Sequence, residues 1–480
     1  MQKPDQLPLS DTDWQQTPLA SQALIVAMWS ELQQLRAEVA SLREQVHQTS
    51  HNSSRPPSSD PPSVPARKRR GSGRPPGAQP GHEGHGRRLL PVEQVDVVVL
   101  VKPHLCASCG GALAGEDPHP HRHQVSEIPP VRVQVTEYQL HTLRCSHCQG
   151  LTEASWPEGV SRRAFGPRVH ALVSLLSGAY RLSKRQIQQL LWDGFGVEMA
   201  LGTVSQLEQA ISQALAHPVD AAVAYVRRQP AKNVDETGWR QQRRRAWLWT
   251  AVTTWVSVFV IRFSRGSKVV RDLLGDNIEG VIGSDRYSAY SFLPLRQRQI
   301  CWAHLRRDFQ KMIDRGGESK DIGEILSALT DQMFAWWHRV RDGTLQRSSF
   351  QTYMADHKAR MHLYLWLGSA CAHAKTARTC QEILALESAL WTFVYREGVE
   401  PTNNAAERAL RHGVLWRKSS FGTHSEAGSR FVERVMTAVT TLRQQKRDVL
   451  AYLTLAGQAA TRGQPAPSLL PAQKQHVPLP

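Results

Sequence analysis

The chain has 480 residues, with 59 Lys and Arg against 42 Asp and Glu, a formal charge of +17 and an isoelectric point near 9.9. That length holds two or three domains with cores of their own, and the charge selects a polyanion as partner. No apolar run reaches the ~18 residues needed to span a bilayer, no secretory n-region or h-region opens the chain, and seven cysteines, four of them in two C-x-x-C pairs, argue against a secreted disulfide framework.

From the N-terminus, Ile25, Met28, Leu32, Leu35, Val39, Leu42 and Val46 recur alternately by three and four, the seam of a coiled coil within residues 1–48. Ile25, Leu32, Val39 and Val46 fall at a, and Met28, Leu35 and Leu42 at d. Mostly β-branched a residues over d leucines favour a parallel pair, hence a homodimer. Glu31 and Glu38 at g would face Arg36 and Arg43 at e. The alternative is one amphipathic helix lying on the body of the protein.

Residues 49–90 are rich in Pro, Ser, Gly and Arg and almost free of large apolar side chains, so no core offsets the entropy of ordering them. A disordered basic linker is expected, with Arg67, Lys68, Arg69, Arg70 and Arg74 as non-specific phosphate contacts or as a solvated charge run. Residues 91–155 carry Cys106 and Cys109, then Cys145 and Cys148, around an interval expected to be strand-rich from Val131 to Leu143. Two knuckles joined by a hairpin suit one structural Zn²⁺ held by four thiolates. A redox pair is the competitor. His119, His121, His123 and His147 are potential substitute ligands, although four thiolates already complete the shell.

Residues 160–217 read as helices: Pro167 to Tyr180, a second capped by Ser183 and running to about Trp192, a break at Gly194 and Gly196, and a third from Thr203 to Ala214. This is either a helix-turn-helix presenting Thr203, Ser205 and Gln206 to base edges or a packed helical hairpin.

Residues 218–445 hold three carboxylates in distinctive settings. Asp235 in V-D-E-T-G-W begins a strand-like stretch. Runs of strand residues follow at Ala246–Thr254 and Trp255–Phe263, then helical spacing at Ser267–Leu274, then a short apolar strand, Gly280–Ser284, that delivers Asp285 at its end. Three strands, a helix and a fourth strand make the opening of a ribonuclease H-like fold. Glu407 in T-N-N-A-A-E-R projects from the first turn of a helix started by Asn403 and Asn404. Oxygen ligands suit two Mg²⁺ or Mn²⁺ ions. Individually, the three could instead be a strand-edge residue, a turn former and a capping partner. Arg306 and Arg307 in C-W-A-H-L-R-R-D-F, and Arg411, Arg417 and Lys418 beyond Glu407, are candidate DNA contacts; an ion pair with Asp308 is the bland reading for the first two. Cys301 and His304 have a zinc-like spacing, but two further ligands are missing, so helix core is the simpler reading. Residues 446–480 are expected to be a terminal helix and tail.

At these residues the chain resembles transposases of the insertion sequence 66 family. The resemblance rests on the order of several strings: N-S-S-R-P-P-S-S-D from Asn52, G-A-Q-P-G-H-E-G-H from Gly77, the paired cysteines, Asp235-Glu236-Thr237, C-W-A-H-L-R-R-D-F from Cys301, Y-R-E-G from Tyr395, T-N-N-A-A-E-R from Thr402 and R-K-S-S-F-G from Arg417. It implies a multidomain α/β protein with a ribonuclease H-like catalytic domain whose Asp-Asp-Glu triad is Asp235, Asp285 and Glu407. It also implies a mostly helical insertion at about 315–395, where Ile322–Trp337 and Thr379–Val394 read as helices. The implied activity is metal-dependent cleavage at insertion-sequence ends and strand transfer into target DNA. Terminal inverted repeats, target duplex and accessory proteins of the same element are the implied partners, and the setting is a prokaryotic cytoplasm, on the chromosome. The competing functions are a non-catalytic DNA-binding protein derived from a transposon and a purely hydrolytic DNA nuclease.

Overall fold

A computed structural model of the chain describes residues 2–4, 7–53, 60 and 88–472. The basic run Arg67, Lys68, Arg69, Arg70 and Arg74 lies outside the described residues. Two helices open the chain, α1 (Asp11–Gln16) and α2 (Leu19–Val46). On α2 the seam positions Met28, Leu32, Leu35, Val39, Leu42 and Val46 are 39–78% exposed, and Leu32, Leu35 and Val39 face a groove whose other wall holds Lys311, Arg315 and Lys375. The C-terminal end of α2 is tied to that wall by polar contacts, with Glu44 paired to Arg315 at 3.5 Å and to Lys375.

Between residues 88 and 160 regular structure is sparse: β1 (Thr142–Arg144) and β2 (Leu151–Glu153) form a short antiparallel hairpin. The expected strand from Val131 is not formed; Val133 and Val135 are exposed instead. A strand needs a neighbour to accept its hydrogen bonds and an apolar layer to cover one face, and this segment has neither. The hairpin therefore brackets the second cysteine pair rather than bridging the interval between the two pairs.

Helices α3 (Pro167–Gly178), α4 (Lys184–Phe195), α5 (Leu201–Ala214) and α6 (Ala216–Arg227) follow. A capping box starts α4: Ser183 Oγ accepts from the Gln186 N–H and Gln186 Oε1 accepts from the Ser183 N–H at 2.9 Å. Gly196 ends it with φ 64°, a left-handed conformation cheap only for glycine. The next helix begins at Leu201, not Thr203, so Thr203 lies inside its first turn.

The sheet comprises β3 (Ala231–Gln241), β4 (Arg244–Val252), β5 (Ser257–Arg262), β6 (Val281–Ser284) and β7 (Arg298–Ile300), with α7 (Ser267–Leu274) between β5 and β6. Its order is β5-β4-β3-β6-β7, antiparallel through the first three and parallel from β3 to β7. Asp235 stands in the middle of β3 rather than at its start.

The remaining chain is helical: α8 (Trp302–Arg315), α9 (Gly317–Arg341), α10 (Arg347–Ser369), α11 (Ala374–Leu384), α12 (Glu387–Leu390), α13 (Thr392–Tyr395), α14 (Asn404–Ser420), α15 (Glu426–Gln444) and α16 (Val449–Thr461). The single helix expected over Thr379–Val394 is three short pieces, because Trp391 turns inward against Trp302, with ring centroids 4.9 Å apart.

Alternation along the strands divides the core. Val234, Trp249, Ala251 and Val258 face α6 and α7, whereas Trp239, Leu248, Phe259 and Ile261 face α14 and α15. Ala171 of α3, Ile211 of α5 and Leu453 of α16 join that second cluster, so these helices share a core with the sheet. Helices α8 to α11 build a third cluster beside β7. Among the described residues no helix is long and apolar enough to cross a membrane.

Candidate functional site

Asp235 and Glu236 are neighbours on β3 and so point to opposite faces of the sheet. Asp235 shares a face with Trp239, the side that α14 covers. Burial raises its carboxyl well above the usual range, and the charges of Glu236, Asp285 and Glu407 add to the rise. Asp285 follows the last residue of β6, and its Oδ1 accepts the Tyr287 N–H at 2.9 Å. Glu407 lies in the first turn of α14, with Oε1 3.7 Å from His304 Nδ1 and 3.8 Å from an Arg307 guanidinium nitrogen. Among the described residues, neither Asp235 nor Asp285 has an ion-pair partner. Like charges thus collect on one side of the sheet without direct neutralisation, which a divalent cation would supply.

Several neighbours of these carboxylates gave no signal in the sequence. Glu236, whose side chain is 2% exposed, accepts from Arg265 Nε at 2.9 Å and from Tyr290 Oη at 2.8 Å. Burial and the Asp285 charge raise its carboxyl; Tyr290 and Arg265 oppose the rise. The Arg265 guanidinium also stacks on Tyr287, 3.9 Å from the ring centroid. This network locks the strand that carries Asp235. Arg417 of α14 donates to the Gly238 carbonyl, and a Cβ at Gly238 would come within 2.9 Å of the guanidinium, so the glycine makes room for this helix-to-strand tie.

The candidate DNA contacts divide. Arg306 is paired with Asp331 at 2.6 Å, whereas Arg307 points to Glu407. Neither uses Asp308, which is held by Arg286 at 2.6 Å and Lys311 at 3.0 Å; burial raises that carboxyl, and the two cations outweigh it to leave it lowered. Arg411 and Lys418 are exposed on α14, and Arg417 is committed to β3. On α5, Gln206 is exposed, Thr203 half-buried, and Ser205 accepts from Lys184 of α4.

The two cysteine pairs form matching knuckles. Cys106 N–H donates to Gly111 O, and Cys145 N–H to Gly150 O, each at 2.8 Å. Gly110 and Gln149 take the same left-handed conformation, with φ 72° and 58°. Backbone N–H groups of Cys109 and Ser108 lower the Cys106 thiol, and those of Cys148 and His147 lower Cys145, so both loops favour thiolates. This donor chemistry fits zinc. The structure pairs Cys106 with Cys109 and Cys145 with Cys148, but does not gather all four, nor His119, His121, His123 or His147 with them, into one ligand set among the described residues.

A strand-and-helix scaffold that holds clustered carboxylates, behind a cysteine-knuckle module, is the build of a DNA-processing enzyme. Residues 162–430 match the family described as Transposase IS66 family, and the chain belongs to it. Residues 103–149 match the zinc-finger binding domain of transposase IS66, and residues 11–88 match a family of unknown function (DUF6444). Among curated relatives, Uncharacterized protein y4qI of Sinorhizobium fredii (strain NBRC 101917 / NGR234) is 25% identical over 426 residues, covering 80% of this chain and 75% of the relative. Uncharacterized protein y4hP of the same organism is 22% identical over 395 residues, 74% of this chain and 70% of the relative. The protein is thus a DNA transposase with a zinc-finger DNA-binding domain.

Proposed function

We propose that Asp235, Asp285 and Glu407 are the Asp-Asp-Glu triad of a ribonuclease H-like catalytic domain that cuts the transferred strand at insertion-sequence ends and joins it to target DNA. The supporting observation is the unpaired charge at Asp235 and Asp285, with Glu407 contributing to the same field from α14. The strand order agrees with the reading: three antiparallel strands, a helix, then parallel strands, with one carboxylate mid-strand, one at a strand end and one on a helix laid over the sheet. Mg²⁺ or Mn²⁺, when bound in pairs, activates the attacking oxygen and stabilises the leaving one.

The chain's own residues position these partners. Asp235 and Asp285 offer oxygens from the rigid sheet, and Glu407 closes the set from α14. Of the candidate DNA contacts, Arg411 and Lys418 are exposed on α14 and suit the phosphate backbone, and Gln206 is exposed on α5 and suits a base edge, whereas Arg306, Arg307, Arg417 and Ser205 would first have to leave the partners they have here. In cleavage, water attacks phosphorus and the 3′ oxygen leaves with a proton. In joining, that 3′ oxygen attacks a target phosphodiester and displaces the target's own 3′ oxygen, so bond count is conserved and no covalent enzyme intermediate is required.

One Zn²⁺ on Cys106, Cys109, Cys145 and Cys148 and a homodimer through the exposed seam of α2 complete the assembly. The boundaries proposed along the chain are 1–48, 49–90, 91–155, 160–217, 218–445 and 446–480, with 160–217 and 446–480 packed into the same core as the sheet of 218–445. The test is Asp285→Ala with terminal-repeat DNA. Cleavage and joining are expected to vanish in Mg²⁺ while end binding persists. A correctly folded Asp285→Ala protein that still cuts overturns the triad, and products cut but never joined in wild type would favour a hydrolytic nuclease.

A further inference from the structure

The starts of α8 and α14 meet beside the carboxylates. Cys301 precedes α8, and its N–H donates to the Ser284 carbonyl at 2.9 Å, one residue before Asp285. The Trp302 N–H donates to Pro401 O at 2.9 Å, and the Asn403 N–H donates to Cys301 Sγ at 3.3 Å. Among the described residues, the three metal-ligating side chains whose donor atoms all lie within 4.8 Å of one another are Cys301, His304 and Glu407. Asp235 and Asp285 do not stand in such a set with Glu407.

Two further observations point to a missing ligand here. His304 Nδ1 is buried and has no hydrogen-bond partner, although Glu407 Oε1 lies 3.7 Å away. Asn403 is fully buried, and neither atom of its carboxamide is partnered. Unsatisfied polar atoms cost free energy wherever water cannot reach them, and here they border a sulfur, a nitrogen and an oxygen donor. If His304 were only helix core, its buried Nδ1 would have a partner within the protein; Cys301 Sγ accepts the Asn403 N–H and keeps lone pairs for a metal.

We propose that Cys301, His304 and Glu407 form a second zinc site, and that Zn²⁺ there withdraws Glu407 from the catalytic set and holds the transposase inactive. Thiolate, imidazole and carboxylate are the ligand types that Zn²⁺ takes and Mg²⁺ does not match, since Mg²⁺ prefers oxygen alone. Three protein ligands leave the fourth position to water. Binding releases the Cys301 thiol proton to solvent, so charge and atoms balance. Burial pushes the Cys301 thiol up to about 12 and the Asn403 N–H···S bond offsets only part of that rise, so the charge of the bound Zn²⁺ is what draws off the proton. The inhibitory consequence, though not the zinc site itself, rests on Glu407 serving catalysis.

The experiment counts zinc in the full-length protein after equilibrium dialysis at buffered free Zn²⁺. Wild type is expected to hold one ion more per chain than Cys301→Ser or His304→Gln. With Co²⁺ in a Cys106→Ser/Cys145→Ser background, a thiolate-to-metal absorption band is expected and is lost on adding Cys301→Ser. In parallel, Mg²⁺-dependent cleavage by wild type should fall about tenfold or more as free Zn²⁺ rises through the binding range, by mass action on Glu407. Equal zinc in wild type and in both single variants, each melting as wild type does, overturns the site whatever the cleavage result. A zinc ion that depends on Cys301 but leaves cleavage unchanged overturns the inhibition and keeps the site. If Asp285→Ala still cuts DNA, the catalytic reading fails while the zinc count stands.

Discussion

Two regions of this protein solve folding in opposite ways. Residues 162–461 bury aromatic and aliphatic side chains on both faces of a sheet and among long helices; Trp239, Trp249, Trp302 and Phe393 are almost wholly inaccessible. Residues 88–160 bury almost nothing: Val99, Leu100, Val101, Val125, Ile128 and Val135 are 73–90% exposed. At about 25 cal/mol per Å² of apolar surface removed from water, the first region offsets its conformational entropy by packing, whereas the second has no comparable source of stability. Two cysteine knuckles preorganised for thiolates are what remains to fold it, and its exposed apolar runs await a metal-organised core, another part of the assembly or DNA. The rigid region can hold buried like charges near one another because its core resists their repulsion.

The largest expected effect breaks function without breaking the fold. Asp235→Asn should lower Mg²⁺-dependent cleavage by about 10³-fold or more. In metal-free buffer near neutral pH the same variant should melt at a higher temperature than wild type, since folding raises this carboxyl through burial and the charges of Glu236, Asp285 and Glu407, a cost that the non-titrating amide does not carry. A residue that merely shaped the strand would lose stability and activity together. Calorimetry and a cleavage assay on one preparation distinguish these outcomes.

Disabling the cysteine knuckles should act on the other region alone. Cys106→Ser with Cys145→Ser is expected to weaken terminal-repeat binding by about tenfold or more and to increase proteolysis within residues 91–155, because the ribbon's folding energy is its metal-binding energy. The main unfolding transition of the body should not move. A shift of several degrees in that transition would show that the two regions share stability.

Acid should reverse the vulnerability. His357 on α10 is buried between Trp336 and Trp391, and burial pulls its imidazole from 6.5 down to about 4. Between those values the unfolded chain binds the proton and the folded chain does not, so stability falls as pH drops from about 6.5 to about 4. The loss is about 3 kcal/mol when complete. His357→Leu should flatten the denaturation midpoint over that pH range; an unchanged slope would place the acid sensitivity elsewhere.

How much could be read from the sequence follows the same division. Asp285 was legible because a short apolar run leads straight into it, and α7 because its period is clean. The start of β3 was hidden: Lys232 and Asn233 look polar, yet they pair with β6. β7 was missed because two of its three residues, Arg298 and Gln299, are buried polar side chains that carry no alternation. The network around Glu236 joins residues 29 and 54 positions away, beyond any local pattern. In the ribbon the cysteine spacing was plain, but the strand expected from Val131 relied on propensity, which decides little without a sheet to join.

The smallest expected effects come from two glycines, one in each region, and they separate packing from backbone strain. Gly422 follows α14 with φ 111°, and a Cβ there would lie 2.1 Å from the Arg240 carbonyl oxygen. That close approach lets the Thr423 N–H reach Arg240 O and the Gln242 N–H reach Thr423 O, each at 2.9 Å, stitching the end of α14 to β3. The clash is with backbone, which cannot step aside, so Gly422→Ala should cost about 1–3 kcal/mol and lower the melting temperature of the body. Gly110 has φ 72°, and a Cβ there would meet nothing within 4 Å. Gly110→Ala therefore carries only the left-handed penalty, about 1 kcal/mol, felt as weaker zinc affinity rather than as a shift in melting. Gln149 already occupies the equivalent place in the second knuckle as a non-glycine residue, so Gly110→Asn, which tolerates that conformation better than alanine, should recover most of the affinity. Equal losses for Ala and Asn would mean that the position needs open space, not backbone freedom, and the symmetry of the two knuckles would fail.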